Sequence, residues 1–93
     1  MKIEKNTLKI FLTSGITVTV GDDEHILVDD ATVGLVSLGA EIENCIKTKS
    51  DLVFDAVIKH KYKDEKGKEK EQEIKHHYCI PSERISWYMI EEV

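Results

Sequence analysis

This 93-residue sequence is poor in the residues that announce chemistry. Of its 13 basic residues only Arg84 is arginine and the other twelve are lysine. Two-point recognition of phosphate or guanine uses the planar guanidinium fork, so sequence-specific reading of nucleic acid gets little support. There are two cysteines, Cys45 and Cys79, where a secreted domain of this size would carry a denser disulfide framework. Both are read as reduced thiols, and the expected location is cytoplasmic. No run approaches the ~20 apolar residues of a membrane-crossing helix, and Met1-Lys2-Ile3-Glu4-Lys5-Asn6 lacks the apolar stretch of a secretion signal. A glycine-rich phosphate loop, a nucleophile elbow and a dinucleotide-binding fingerprint are all missing. Catalysis is therefore not expected, and no cofactor is implied.

Aromatic residues make up only 6% of the chain, which concentrates bulky packing in Phe11, Phe54, Tyr62, Tyr78, Trp87 and Tyr88. A chain of this length buries roughly 60–65% of the surface its unfolded form exposes. The core is thin, and self-association into a homo-oligomer is one natural remedy. The formal net charge of −5 disfavours non-specific attachment to nucleic acid or to anionic membrane.

What the sequence does contain is alternation. Leu52, Phe54, Ala56, Ile58, His60 and Tyr62 fall at every second position, and the period returns as Ile74, His76, Tyr78 and Ile80. Side chains of a strand point alternately to opposite faces, so these two runs predict a long antiparallel hairpin over residues 52–80. The stretch between them, Lys63-Asp64-Glu65-Lys66-Gly67-Lys68-Glu69-Lys70-Glu71, is charged and low in complexity. It is expected to be a solvated connection with Gly67 at its apex, and it is a candidate finger for contacting a partner.

Leu8, Ile10 and Leu12 alternate, as do Ile16, Val18 and Val20, around Thr13-Ser14-Gly15, which predicts a first hairpin over about residues 6–20. Gly21-Asp22-Asp23-Glu24 reads as a turn, and His25 to Val28 as a short third strand. Residues 29–50 support two descriptions. In one, Asp30 caps a short helix that stops at Gly39. In the other, Val33, Leu35 and Ser37 alternate as a strand, since Gly34 and two valines are poor helix formers. The short helix is the expectation adopted here. Ala40 to Thr48 is similarly divided, with Ile42 and Ile46 at helical spacing. Pro81 then ends the second long strand, and Ser82-Glu83-Arg84 makes a tight turn. In the last strand Ile85, Trp87 and Met89 face one way, and Ser86, Tyr88 and Ile90 the other. If the first set faces the core, Tyr88 and Ile90 become candidates for a subunit or partner contact.

The pair around Leu12-Thr13-Ser14-Gly15-Ile16-Thr17-Val18, the long central hairpin, and a final strand entered through Ile80-Pro81-Ser82-Glu83-Arg84-Ile85 together resemble the small SH3-like and Sm-like barrels, over about two thirds of the chain. The resemblance implies a small antiparallel β-barrel and a habit of ring or edge-to-edge assembly, with no activity attached. The Asn and Arg-Gly loops by which Sm-like proteins read RNA have no match here, so RNA binding is not carried over. Residues 29–50 have no counterpart in that pattern.

His60, His76, His77 and Cys79 form the one candidate metal or acid–base cluster. His60 and His76 would share a face of the hairpin, but His77 and Cys79 point the other way and the spacing is not that of a zinc site, so no metal is expected. Cys79 sits among apolar neighbours, which favours a packing role. Asp22, Asp23, Glu24, Asp29 and Asp30 crowd negative charge into nine residues without the glycine and closing glutamate of a calcium loop. They read as turns or an acidic surface.

The expected object is thus a mainly β, barrel-like, non-catalytic protein-interaction module that self-associates. Its Lys, Ile and Glu-rich composition resembles accessory proteins of low-GC bacteria or their phages. Its candidate contact residues are Trp87, Tyr88, Ile90, Arg84, His60 and His76. An alternative is a small-ligand or nucleotide binder with a subunit-interface pocket near Trp87, Tyr88, Arg84 and the histidines, where one Arg and aromatic planes would hold a phosphate and a base. Another is an acidic inhibitor that mimics the charge of a nucleic acid.

Overall fold

The computed structural model describes residues 5–93. The reading of the first six residues as lacking a signal therefore falls mostly outside the described part. Seven strands and one long helix follow in the order β1 (Thr7–Leu12), β2 (Thr17–Gly21), β3 (His25–Val28), β4 (Ala31–Val33), α1 (Leu35–Thr48), β5 (Leu52–Lys63), β6 (Glu69–Ile80) and β7 (Ile85–Glu91), with a 3₁₀ turn at Ser82–Arg84 before β7. Strands account for 55% of the described chain. They form two antiparallel sheets, ordered β2-β1-β7 and β4-β3-β5-β6. The strands do not close into a barrel.

Both sheets and the helix contribute to one apolar cluster. Leu8, Ile10 and Val20 come from the first sheet, Ile26, Leu52, Phe54 and Ile80 from the second, Leu35, Leu38, Ile42 and Cys45 from α1, and Ile85 from the start of β7. The alternation is what places them. Leu8 and Ile10 face Val20 and Val18 across the first hairpin, while Leu52 and Phe54 face Ile80 and Tyr78 across the long one. Phe54 is the largest fully buried side chain, and its ring stacks on Tyr78 with centroids 4.7 Å apart.

Residues 29–50 resolve differently from the expected short helix capped at Asp30. Asp29 and Asp30 both take positive φ, at 50° and 64°, and join β3 to β4 with Val28 opposite Ala31. Two left-handed residues in a two-residue connection match the twist of the strands they join, and aspartate tolerates that conformation better than most. The helix begins only at Leu35, with Gly34 at its cap and no side-chain cap bond, and ends at Lys49 in the left-handed conformation. Gly39, expected as the stop, lies buried in the middle of α1. The helix forms because Leu35, Leu38, Ile42 and Cys45 recur at three- and four-residue intervals, and burying that stripe outweighs the propensity cost of one glycine, about 1 kcal/mol.

The hairpin of β5 and β6 is continuously paired from Leu52↔Ile80 to Lys63↔Glu69. Pairing therefore extends well into the charged stretch expected to be loop. Lys59, Lys61 and Lys63 stand opposite Glu73, Glu71 and Glu69 on one face of the arm, and cross-strand pairs of opposite charge favour that register. The turn shrinks to residues 64–68. Asp64 Oδ1 accepts hydrogen bonds from the Lys66 and Lys68 amides at 2.9 Å each, and Gly67 supplies the positive φ of 74° that the turn needs. Twelve residues of strand span about 40 Å. The molecule is accordingly long, 51 × 31 × 25 Å with a radius of gyration of 15.2 Å, against about 12 Å for a compact chain of this length.

Candidate functional site

Three surfaces collect the residues that the sequence singles out, and the fold holds them apart. The first is the face of β7 turned toward the core. Tyr88 stands opposite Ile10 and Ile90 opposite Leu8, both of which are buried. Tyr88 and Ile90 pack against the core cluster. The Tyr88 ring lies over Gly39 of α1, and its hydroxyl donates a 2.8 Å hydrogen bond to Glu43 Oε1, one helical turn further on. That bond, with burial second, raises the Tyr88 phenol above its ordinary range. The face expected to be free for a partner is thus occupied by the chain's own helix.

The reason is a bulge. Phe11 pairs with Trp87 but Leu12 pairs with Ile85, so Ser86 is an extra residue in β7. An inserted residue inverts the parity of the strand. Ile85 faces inward with Leu12, and after Ser86 the inward positions are Tyr88 and Ile90.

The second surface is the outer face of the same sheet, where Trp87 is 52% exposed. Its ring stacks on Phe11 with centroids 3.9 Å apart and planes 13° from parallel. Met89 lies on the same side, opposite Lys9. Arg84 lies at the nearby 3₁₀ turn with its side chain exposed, and its carbonyl accepts from the Thr13 amide at 2.8 Å. Trp87 and Tyr88 therefore lie on opposite faces of one sheet, and the chain alone does not gather them around one ligand.

The third surface is the outer half of the arm. Its inner face, continuous with the core face of the second sheet, carries Ile58 opposite Ile74, His60 opposite Gln72, Tyr62 opposite Lys70, and His76 opposite Ala56. Tyr62 is 42% exposed and Ile74 36%. His60 and His76 share this face, as the alternation predicts, but they sit four strand positions apart, about 13 Å. Each ring lies near the tyrosine two positions along its own strand, His60 by Tyr62 and His76 by Tyr78. On the other face His77 Nδ1 lies 2.5 Å from Asp55 Oδ1. Among the described residues no group of three or more His, Cys, Asp or Glu side chains is placed to hold a metal.

Among the described residues β6 is the edge strand of its sheet along its whole length. Sequence reasoning missed this edge and the lysine–glutamate ladder beside it. The signal was present as Lys59-x-Lys61-x-Lys63 and Glu69-x-Glu71-x-Glu73, an alternation of charge and not of grease.

The two thiols are free and differ in setting. Cys45 is buried in α1; its thiol reaches Glu41 Oε1 at 3.6 Å and the Asp51 carbonyl at 3.5 Å. Burial first, then the Glu41 charge and hydrogen bond and the Asp51 charge, push that thiol up, so a thiolate nucleophile is disfavoured there. Cys79 is exposed on the outer face, opposite Val53, which corrects its expected packing role; its apolar sequence neighbours face the opposite side of the strand.

The acidic residues near the second turn are engaged locally. Asp23 pairs with Lys5 at 3.1 Å, Asp22 Oδ2 accepts from the Asn6 amide at 3.1 Å, and Glu24 Oε2 accepts from the Gly21 amide at 2.5 Å. A shallow cleft of about 520 Å³ lies between the C-terminal end of α1 and the turn after β6, lined by Ile46, Lys49, Asp51, Pro81, Ser82 and Glu83. Among the described residues no helix is long and apolar enough to cross a membrane. The chain matches no protein-family profile, no curated protein and no solved structure.

Proposed function

We propose that the chain is a non-catalytic protein-interaction module and that its β5–β6 arm is the contact element. One observation carries this: a hairpin paired over 12 residues per strand projects beyond the core with Ile58, Tyr62 and Ile74 on a face that no described residue covers in full. A strand pair of this length is marginal without a packed face, and apolar side chains held at the end of an ordered arm suit a protein surface better than solvent. The SH3-like or Sm-like likeness contributes a tendency to pair sheet edges and no ligand.

The test is a shortened arm. Ile58 and Ile74 are directly opposed, so replacing residues 59–73 by Asn-Gly closes the hairpin with a two-residue turn. The intact chain should bind a protein, reconstituted from purified components, that the shortened chain does not bind. Equal binding by both chains, or none by either, refutes the proposal.

A second reading, a small planar ligand, is favoured by the exposed Trp87 stacked on Phe11, since indole faces bind flat or cationic groups. A thermal-shift screen with nucleotides distinguishes it, because a ligand bound only by the folded state raises Tm. A shift lost in Trp87→Ala favours it; no shift with any nucleotide removes the nucleotide form of this reading.

A further inference from the structure

Among pairings centred on residues 72–76, the open edge of β6 carries a charge pattern that fits itself in one register. On the outer face the strand presents, in order, Glu69, Glu71, Glu73, Lys75 and His77; on the inner face, Lys70, Gln72, Ile74, His76 and Tyr78. Two copies related by a two-fold axis perpendicular to the sheet pair these edges antiparallel with faces preserved, so the only freedom is which residue sits on the axis.

With Ile74 on the axis, Glu73 meets Lys75 of the second copy and Lys75 meets its Glu73. Glu71 meets His77, Gln72 meets His76, Lys70 meets Tyr78, and Ile74 meets Ile74. No like charges oppose. Moving the axis to residue 73 sets glutamate against glutamate at the centre, and moving it to 75 sets lysine against lysine. Axes at 72 and 76 oppose Glu71 to Glu73 and Lys75 to His77. The ladder within each arm continues the pattern, because Glu73 already faces Lys59 and Glu71 faces Lys61; across the joint the row reads Lys59, Glu73, Lys75.

We infer that a second copy of this chain occupies the β6 edge, through an antiparallel β6–β6 pairing centred on Ile74 that joins two four-stranded sheets into one of eight. This names the partner of the arm and rests on the proposal that the arm is the contact element. Pairing over residues 69–79 supplies roughly ten main-chain hydrogen bonds, the number found in a standard protein interface. It places Ile58 and Ile74 of both copies in one apolar strip and lays the tip of each arm beside the base of the other. It also removes the hazard of a long uncovered edge.

The register makes the test sharp. Opposed residues of an antiparallel pair have Cα atoms about 4.5 or 5.5 Å apart, within disulfide reach. In a Cys79→Ser background, Ile74→Cys should oxidise to a covalent dimer. Gln72→Cys and His76→Cys should each link poorly alone and link to one another when mixed. By light scattering the unmodified full-length chain should be a dimer. Lys75→Glu should weaken it by at least about tenfold, since like charges then meet at two symmetric positions, and Lys59→Glu/Glu73→Lys/Lys75→Glu, which reverses the whole row, should restore it.

A monomer at all concentrations, or a dimer in which Gln72→Cys links as readily as Ile74→Cys and Lys75→Glu changes nothing, overturns the inference. A monomeric chain whose arm still captures a different protein would overturn this pairing and leave the arm's role standing. Loss of that capture as well would remove both.

Discussion

The ring of Tyr88 rests on Gly39 so closely that a Cβ added there would come within 2.9 Å of Tyr88 Cε2. This contact sets how near α1 lies to β7, and the Tyr88 hydroxyl bond to Glu43 pins the same helix one turn later. Gly39→Leu should therefore cost about 1–3 kcal/mol, the usual penalty of overfilling a packed site. Gly39→Ala should come out nearer zero, since its helix-propensity gain of up to about 1 kcal/mol opposes the displacement of the ring. Urea unfolding of the two variants checks the order; equal midpoints for Leu and wild type would show that the ring moves freely.

Phe54→Ala should be the most damaging single truncation. Its ring is 1% exposed and stacked on Tyr78, and such substitutions cost about 3–5 kcal/mol. A chain of this length has roughly 5–14 kcal/mol in all, so a large fraction of its stability goes. Far-UV circular dichroism during thermal unfolding measures this.

Alkaline pH should unfold the protein early. Cys45 is raised chiefly by burial, Tyr78 by burial and then the charge of Glu24, and Tyr88 chiefly by its bond to Glu43. Each group holds its proton more firmly folded than unfolded. The stabilisation is fully present below the unfolded titration ranges, near about 8.5 for thiol and 10 for phenol, and is lost as pH rises through the folded ones. Tm should fall above about pH 9 from these groups, and Tyr88→Phe should flatten part of the fall. A Tm that rises across that window would contradict the assignment.

The two thiols should react apart. Ellman's reagent should titrate one equivalent, at exposed Cys79, in the native chain, and a second, at Cys45, only on unfolding. Cys79→Ser should abolish the native equivalent. Rapid native reaction of both would mean that α1 opens readily.

Much of the architecture was legible because period-two alternation is a local property. It located β1, β2, β3 and both strands of the arm, and Pro81 located the end of β6. It failed where a local signal had two outcomes. Asp29-Asp30 serves a cap or a turn equally well until the strands on either side are paired, and Gly39 stops a helix or admits a ring depending on what lies over it. The charged segment between the arm's strands looked unstructured because its pattern is of sign, and sign matters only once a partner strand stands opposite.

The sequence by itself determined that the chain is mainly β, with a long hairpin whose alternate residues are apolar, since side-chain direction in a strand depends only on position along it. Which of those faces is buried was decided by tertiary structure. The bulge at Ser86 exists only in relation to Phe11 and Leu12 of another strand, and it alone turns Tyr88 inward onto the helix and leaves Trp87 to the solvent. Alternation has a period but no sign, and the sign comes from the register with which distant segments meet.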